Sequence, residues 1–144
     1  MQNILKTIAF ICLLLGSFTA QAQRDIFGKW KTIDDETGET KSIVEIYKQN
    51  GKAYGKVTKI FTGPGEDPDP ICTACDGDEK NEKIIGMEII KGLEQDGDDW
   101  EDGTILDPES GKVYDCEIWR DEDELKVRGY IAFLYRTQTW KKAD

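Results

Sequence analysis

Two cysteines at C-x-x-C spacing are the residues of this sequence that could do chemistry most directly. Cys72 and Cys75 lie within a long irregular stretch, 62–83. Such a pair can form a structural disulfide, act as a redox pair or supply half of a zinc site. Acidic residues follow at 76–79, and negative charge opposes the formation of a reactive thiolate. This context favours a disulfide between Cys72 and Cys75, with the redox and zinc interpretations as alternatives.

The absence of histidine limits the other chemistry that the chain can perform. Without histidine there is no Ser-His-Asp or Cys-His catalysis and no histidine metal ligand. Zinc would need Cys116 and carboxylates beside the cysteine pair. Cys116 alternates with Tyr114 and Ile118, however, which is typical of a small buried hydrophobe. We predict no catalytic residue, no metal and no cofactor.

Two acidic runs, 66–79 and 96–102, raise the possibility of calcium binding, because Ca²⁺ prefers oxygen ligands. The second run begins like an EF-hand loop, but its sixth position is Glu101 rather than glycine, and no helices are predicted on either side. The favoured interpretation is a solvated hairpin tip.

Aromatic and basic residues on the predicted strands suggest a ligand site. Tyr54, Trp119, Arg128 and Tyr130 lie on strand faces opposite the most aliphatic ones. If those faces line the interior of a barrel, they offer stacking surfaces and a cation for an anionic group. The alternatives are that they cover the outer face or fill the core. Arg128 is the first candidate because it precedes Gly129, and a glycine within a strand often marks a close approach.

Length and charge define the class of protein. The chain has 144 residues, which corresponds to one domain. It carries 29 Asp and Glu against 19 Lys and Arg, a formal charge of −10. Nucleic acids and anionic membrane surfaces require a basic footprint, so both are excluded as partners.

The N-terminal residues 1–22 are predicted to be a signal peptide. Lys6 precedes an apolar run at 8–15, and an A-x-A signal places the cleavage after Ala22. The apolar run is too short to span a membrane, so we expect no membrane insertion after cleavage. The mature chain, 23–144, is then a single periplasmic or secreted domain, and disulfides persist in both compartments.

Turn signals divide the mature chain into runs of strand length that are rich in β-branched and aromatic residues. Asn50-Gly51 is the clearest of them and predicts a type I′ hairpin. The pattern predicts an all-β, antiparallel up-and-down barrel of about eight strands. The predicted strands lie near 26–33, 41–49, 52–61, 84–94, 100–106, 112–120, 124–134 and 135–142. In the seventh, alternation assigns Leu125, Val127, Gly129, Ile131 and Phe133 to one face.

Several motifs support a family resemblance. Gly28-Lys29-Trp30 resembles the Gly-x-Trp start of lipocalin-like barrels, in which the Trp plugs one end against a basic residue of the last strand. Arg136 is the matching basic candidate. The mature chain also resembles the bacterial domain-of-unknown-function family 2147. The further motifs that carry this resemblance are Tyr54-Gly55-Lys56-Val57, Cys72-x-x-Cys75, Ile105-Leu106-Asp107-Pro108, Leu125-x-Val127-Arg128-Gly129-Tyr130 and Arg136-Thr137-Gln138-Thr139-Trp140.

The resemblance implies an exported lipocalin-like β-barrel and carries over no activity or cofactor. The leading functional prediction is non-enzymatic binding of a small hydrophobic or amphipathic ligand. The alternative is an envelope structural or protein-interaction module with a filled barrel, in which the stretch 62–83 would meet a protein partner of unknown identity. A thiol-redox or metal protein acting through Cys72 and Cys75 is the third hypothesis.

Overall fold

A computed structural model describes residues 25–143, and within them eight antiparallel strands close into one barrel. The predicted fold class is therefore confirmed, whereas the predicted signal peptide lies outside the described residues. No helix in the described part is long and apolar enough to cross a membrane. The strands are β1 (Gly28–Ile33), β2 (Thr40–Gln49), β3 (Lys52–Ile60), β4 (Glu88–Asp96), β5 (Asp99–Leu106), β6 (Val113–Asp121), β7 (Glu124–Ile131) and β8 (Leu134–Lys142), with a 3₁₀ helix at Gly77–Glu79.

Consecutive strands pair with each other, and β8 returns to pair with β1, so the sheet has no free edge. This up-and-down order brings the β1–β2, β3–β4, β5–β6 and β7–β8 connections to one end of the barrel. The three other hairpins lie at the opposite end, together with the start of β1 and the end of β8. One end of the barrel therefore carries four connections, and the other carries three hairpins and the two outer ends of β1 and β8.

Strict alternation along the strands decides which side chains form the core. In β7, Leu125 and Val127 are buried inside the barrel, whereas Arg128 and Tyr130 point outward. In β3, the small residue Gly55 lies against Ile90 of β4. A β-carbon at Gly55 would come within 2.9 Å of the Ile90 side chain. The period-two pattern of the sequence thus separates the two faces correctly, and the aliphatic face is the interior one.

The predicted hairpin at Asn50-Gly51 is confirmed, with φ values of 51° and 81° at the two residues. The β7–β8 turn corrects the prediction that one strand continues through 124–134. The chain reverses at Ala132, which adopts a φ of 53°, and Phe133 is 87% exposed rather than on the interior face. All the residues at this turn are apolar, so no turn signal marks it in the sequence.

The fourth strand begins later than predicted. Gly86 adopts a φ of 93°, and the residues before Glu88 belong to the β3–β4 loop (61–87). Ile84 and Ile85 favour extended structure by their residue type, but the glycine breaks the ladder.

Trp30 closes the end of the barrel where β1 begins. Its side chain is fully buried, and its indole N–H donates a hydrogen bond to the carbonyl of Ile26 at 2.9 Å. The guanidinium carbon of Arg120 lies 4.9 Å from the ring centroid, and the ammonium of Lys142 lies 4.7 Å from it. Arg120 also donates to the carbonyl of Asp25 at 3.0 Å, which ties β6 to the segment before β1.

The expectation that Arg136 covers the tryptophan is wrong. The β1–β8 register pairs Trp30 with Lys142, near the end of β8, whereas Arg136 lies near its start and at the other end of the barrel. Lys142 is thus the basic residue of the last strand that contacts Trp30. A second cation over the ring, Arg120, comes from β6.

We predict that Trp30→Ala lowers the free energy of unfolding by about 3–5 kcal/mol, because it leaves a large void in the plugged end. Trp119→Ala is the matched control, since Trp119 lies on the outer face, and its expected cost is about 1 kcal/mol. Urea unfolding followed by far-ultraviolet circular dichroism measures both. Equal costs for the two variants would contradict the role of Trp30 as the plug.

Candidate functional site

A cavity of about 630 Å³ occupies the end of the barrel opposite Trp30, within the size range of small-molecule sites. The odd-numbered strands end there and the even-numbered strands begin there, so every strand can contribute to its wall. The inner wall is largely apolar. Its aliphatic and indole side chains are Ile33, Val57, Ile60, Ile71, Ile84, Ile89, Ile105, Leu106, Val127 and Trp140.

The mouth of the cavity carries paired charges. The ammonium of Lys41 on β2 forms a salt bridge with Glu109 of the β5–β6 loop and lies 3.8 Å from Asp34. Burial lowers the pKa of Lys41, but the hydrogen bond and charge of Glu109 outweigh it, so the net shift is upward. Arg136 lies 2.6 Å from Asp35 of the β1–β2 turn. An apolar interior therefore meets a charged rim.

The β3–β4 loop forms one side of the mouth and contains the predicted Cys72–Cys75 bridge. The two α-carbons are 5.4 Å apart, and both cysteines are buried. The Cys72 N–H donates to the carbonyl of Glu82 at 2.8 Å, and the Asn81 N–H donates to the carbonyl of Cys72 at 2.9 Å. The bridge thus fixes the loop segment that contributes Ile71 to the cavity wall.

The β5–β6 loop packs directly against the disulfide segment. A β-carbon at Gly111 would lie 1.9 Å from the carbonyl oxygen of Ala74, and Gly111 has a φ of 72°, so this position requires glycine. The Asp107 carboxylate accepts hydrogen bonds from the Glu109 N–H at 3.0 Å and the Ser110 hydroxyl at 2.7 Å, which shapes the turn. The two loops form one continuous wall of the mouth.

Three of the four predicted ligand-binding residues come together, but on the outer face. The guanidinium carbon of Arg128 lies 4.8 Å from the ring centroid of Trp119, and its Nε donates to the Thr137 hydroxyl at 2.7 Å. The Tyr130 hydroxyl donates to Glu117 at 2.7 Å. The hydrogen bond between Tyr130 and Arg128 raises the pKa of the guanidinium, which stays charged.

Tyr54 lies apart from this cluster, on β3. Its ring stacks on Tyr47 at 6.1 Å, and the Tyr47 hydroxyl donates to Glu88 at 2.5 Å. Burial, together with the hydrogen bond to the Glu88 carboxylate, raises the pKa of Tyr47 to about 12. The pair forms a polar ladder on the outside of the barrel.

None of Arg128, Tyr130, Trp119 and Tyr54 lines the cavity. Their assignment to the lumen is corrected because the aliphatic faces point inward. The structure thus matches the alternative that these side chains cover the outer face, and their contact with a ligand stays an untested prediction. Sequence reasoning does not single out the cavity residues, because aliphatic side chains lack the aromatic or cationic character that marks a ligand contact. The signal that could have found them is the alternation that places Val127 inside β7.

The remaining cysteine and the acidic runs do not converge on a site. Cys116 is 3% exposed, and burial raises the pKa of its thiol to about 12. Glu101 and Asp96 share a hydrogen bond on the β4–β5 hairpin, which raises the pKa of Glu101. Across residues 25–143, no group of three or more histidine, cysteine or acidic side chains is arranged to hold a metal ion.

An up-and-down barrel of eight strands, plugged by a tryptophan at one end and open to a cavity at the other, is a lipocalin-like fold. Among solved structures the chain is similar to that of protein HP1028 from Helicobacter pylori, which is described as belonging to the lipocalin family. The two chains are 17% identical, and the match has a TM-score of 0.71 and covers 84% of each chain. Residues 28–142 match the family described as "Uncharacterized protein conserved in bacteria (DUF2147)", and the chain belongs to that family. No curated protein matches it.

We predict that the double variant Cys72→Ala/Cys75→Ala loses about 2 kcal/mol of stability, from the loop-closure entropy of a very short loop. Urea unfolding with and without reductant measures the effect. The wild-type protein should lose the same amount on reduction, whereas the double variant should not respond to reductant. An unchanged wild-type midpoint with both thiols titrating as free would contradict the stabilising role of the bridge.

Proposed function

We propose that the protein is a non-enzymatic binder of a small hydrophobic or amphipathic ligand, held in the cavity at the open end of the barrel. The observation that carries the proposal is the cavity of about 630 Å³ with an aliphatic wall. Removing apolar ligand surface from water supplies the binding free energy, about 25 cal/mol per Å².

The charged mouth supports an amphipathic rather than a purely apolar ligand. Lys41 and Arg136 both line the cavity, and both are paired with carboxylates that are exposed to solvent. A polar head group at this level can exchange hydrogen bonds with these side chains while the apolar part stays against Ile105 and Trp140. The lipocalin-like fold supports the same class of ligand.

The two other functional hypotheses receive less support. A structural module with a filled barrel is disfavoured by the cavity. A redox role is disfavoured because both sulfurs of the Cys72–Cys75 bridge belong to buried residues. A periplasmic or secreted location remains part of the proposal, and its supports are the predicted signal peptide and the disulfide.

The test is direct binding of an environment-sensitive apolar probe, N-phenyl-1-naphthylamine, followed by fluorescence in vesicle-free buffer. We expect binding to the mature protein and a loss of at least tenfold in affinity for Ile60→Trp/Ile105→Trp, which places two indoles at the cavity wall. Tyr54→Ala/Trp119→Ala is the control with two outward-facing changes, and it should bind as the wild type does.

Native mass spectrometry of the protein purified from its own cell envelope complements the titration. A mass excess that disappears on denaturation is expected. The proposal fails if the probe binds the indole-filled variant and the wild type equally well, or if only the Tyr54→Ala/Trp119→Ala control loses binding.

A further inference from the structure

The large hydrophobic side chains that are exposed to solvent all lie at the open end. Each belongs to a strand end or loop that borders the mouth, on three different sides of the barrel. Within residues 25–143 they are Phe61, Ile71, Val113, Ile131, Phe133, Leu134 and Tyr135. Isolated exposed apolar residues are common on protein surfaces, but their concentration at one end marks an interaction surface.

The centre of this surface is the apolar tip, Ile131–Tyr135, which forms the β7–β8 hairpin turn. Phe133 is 87% exposed and Leu134 is 65% exposed, and the tip contains no charged residue. The three hairpins at the plugged end turn instead on polar or acidic segments, 50–51, 96–99 and 121–124. An apolar hairpin turn is therefore found at the open end, beside the cavity, and at none of the three hairpins of the plugged end.

We propose that the open end docks peripherally on an electrically neutral lipid surface, with the apolar tip seated at its interface and no segment spanning the lipid layer. The tip is a protruding turn rather than a groove, and exposed Phe and Leu at such a turn suit the boundary between head groups and acyl chains. Tyr135 follows them, and tyrosine is favoured at the interface itself. The exposed guanidinium of Arg136 then lies at the level of the head groups.

The charge at this end specifies a neutral lipid surface. The β1–β2 turn carries Glu36 and Glu39, and the β3–β4 loop carries Glu66 and Asp67; within residues 25–143 none of these four carboxylates forms a salt bridge. Anionic lipids would repel these groups, whereas zwitterionic lipids would not. The apolar tip is the uncharged exception among the four connections at the mouth.

Docking also gives the cavity a source of ligand, and this step rests on the proposed function. Arg136 lines the cavity and directly follows the apolar tip in the chain, so this turn and the cavity mouth are adjacent. An apolar ligand dissolved in the lipid layer could enter the barrel with little passage through water. The inferred ligand class is therefore a component that partitions into membranes.

The experiment is flotation of the ligand-free mature protein with phosphatidylcholine vesicles, compared with vesicles that contain one third phosphatidylglycerol. We expect co-flotation with the neutral vesicles and weaker binding to the anionic ones at low salt. Phe133→Ser/Leu134→Ser should reduce the partition coefficient at least tenfold. Gln49→Ser/Gln95→Ser, two exposed uncharged positions on hairpins of the plugged end, is the matched control and should float as the wild type does.

Three results would overturn the proposal. The first is equal flotation of wild type and Phe133→Ser/Leu134→Ser, both verified as folded by circular dichroism. The second is stronger binding to the anionic vesicles. The third is a dimer in sedimentation equilibrium that the same variant abolishes, because a second copy would then cover the tip. Flotation uses no ligand and the probe titration uses no vesicles, so failure of docking and failure of ligand binding are separate outcomes.

Discussion

Trp30 is the residue on which the arrangement of the barrel depends. The interior of an eight-stranded barrel is just wide enough to be filled by its side chains or to hold one small ligand. A large side chain at one end therefore keeps water out of the core beside it. The buried indole seals the end where β1 starts, and Arg120 and Lys142 cover it with cationic groups. Trp140, 2% exposed, lies on β8 two residues before Lys142 and lines the cavity from the side of this sealed end. Because the tryptophan closes one end only, the interior at the other end can remain an open cavity.

The shape of the cavity mouth depends mainly on two loops, β3–β4 and β5–β6, which pack against each other. The Cys72–Cys75 bridge restrains one segment of the β3–β4 loop. Gly111 has no side chain, which lets the β5–β6 loop pack against that segment at Ala74. Lys41 links this wall to β2 through Glu109. Such a loop would otherwise be costly in conformational entropy, and the bridge and close packing reduce that cost.

The sequence predicted the fold well because local signals and global topology agree in most of the chain. Asn50-Gly51 strongly favours a tight hairpin, because both residues readily adopt positive φ. The alternation in β7 places Val127 and Arg128 on opposite faces, as the structure does. The apolar tip was predicted as strand because Ala132 adopts a left-handed conformation that its residue type does not announce. Arg136 was placed at the wrong end because motif order along a chain does not define strand register. The sequence leaves a ligand cavity and a filled barrel open as alternatives, because aliphatic faces look the same in both.

The seam between β1 and β8 brings the first and last described segments of the chain together. The Ala143 N–H donates to the carbonyl of Lys29 at 3.0 Å, and Trp30 pairs with Lys142 beside it. Residues 25 and 143, the first and last described, therefore both lie at the end of the barrel that the tryptophan seals. A surface tether attached at one of these two positions would start on the side away from the mouth, and the molecule could be immobilised in one known orientation with its cavity facing solution.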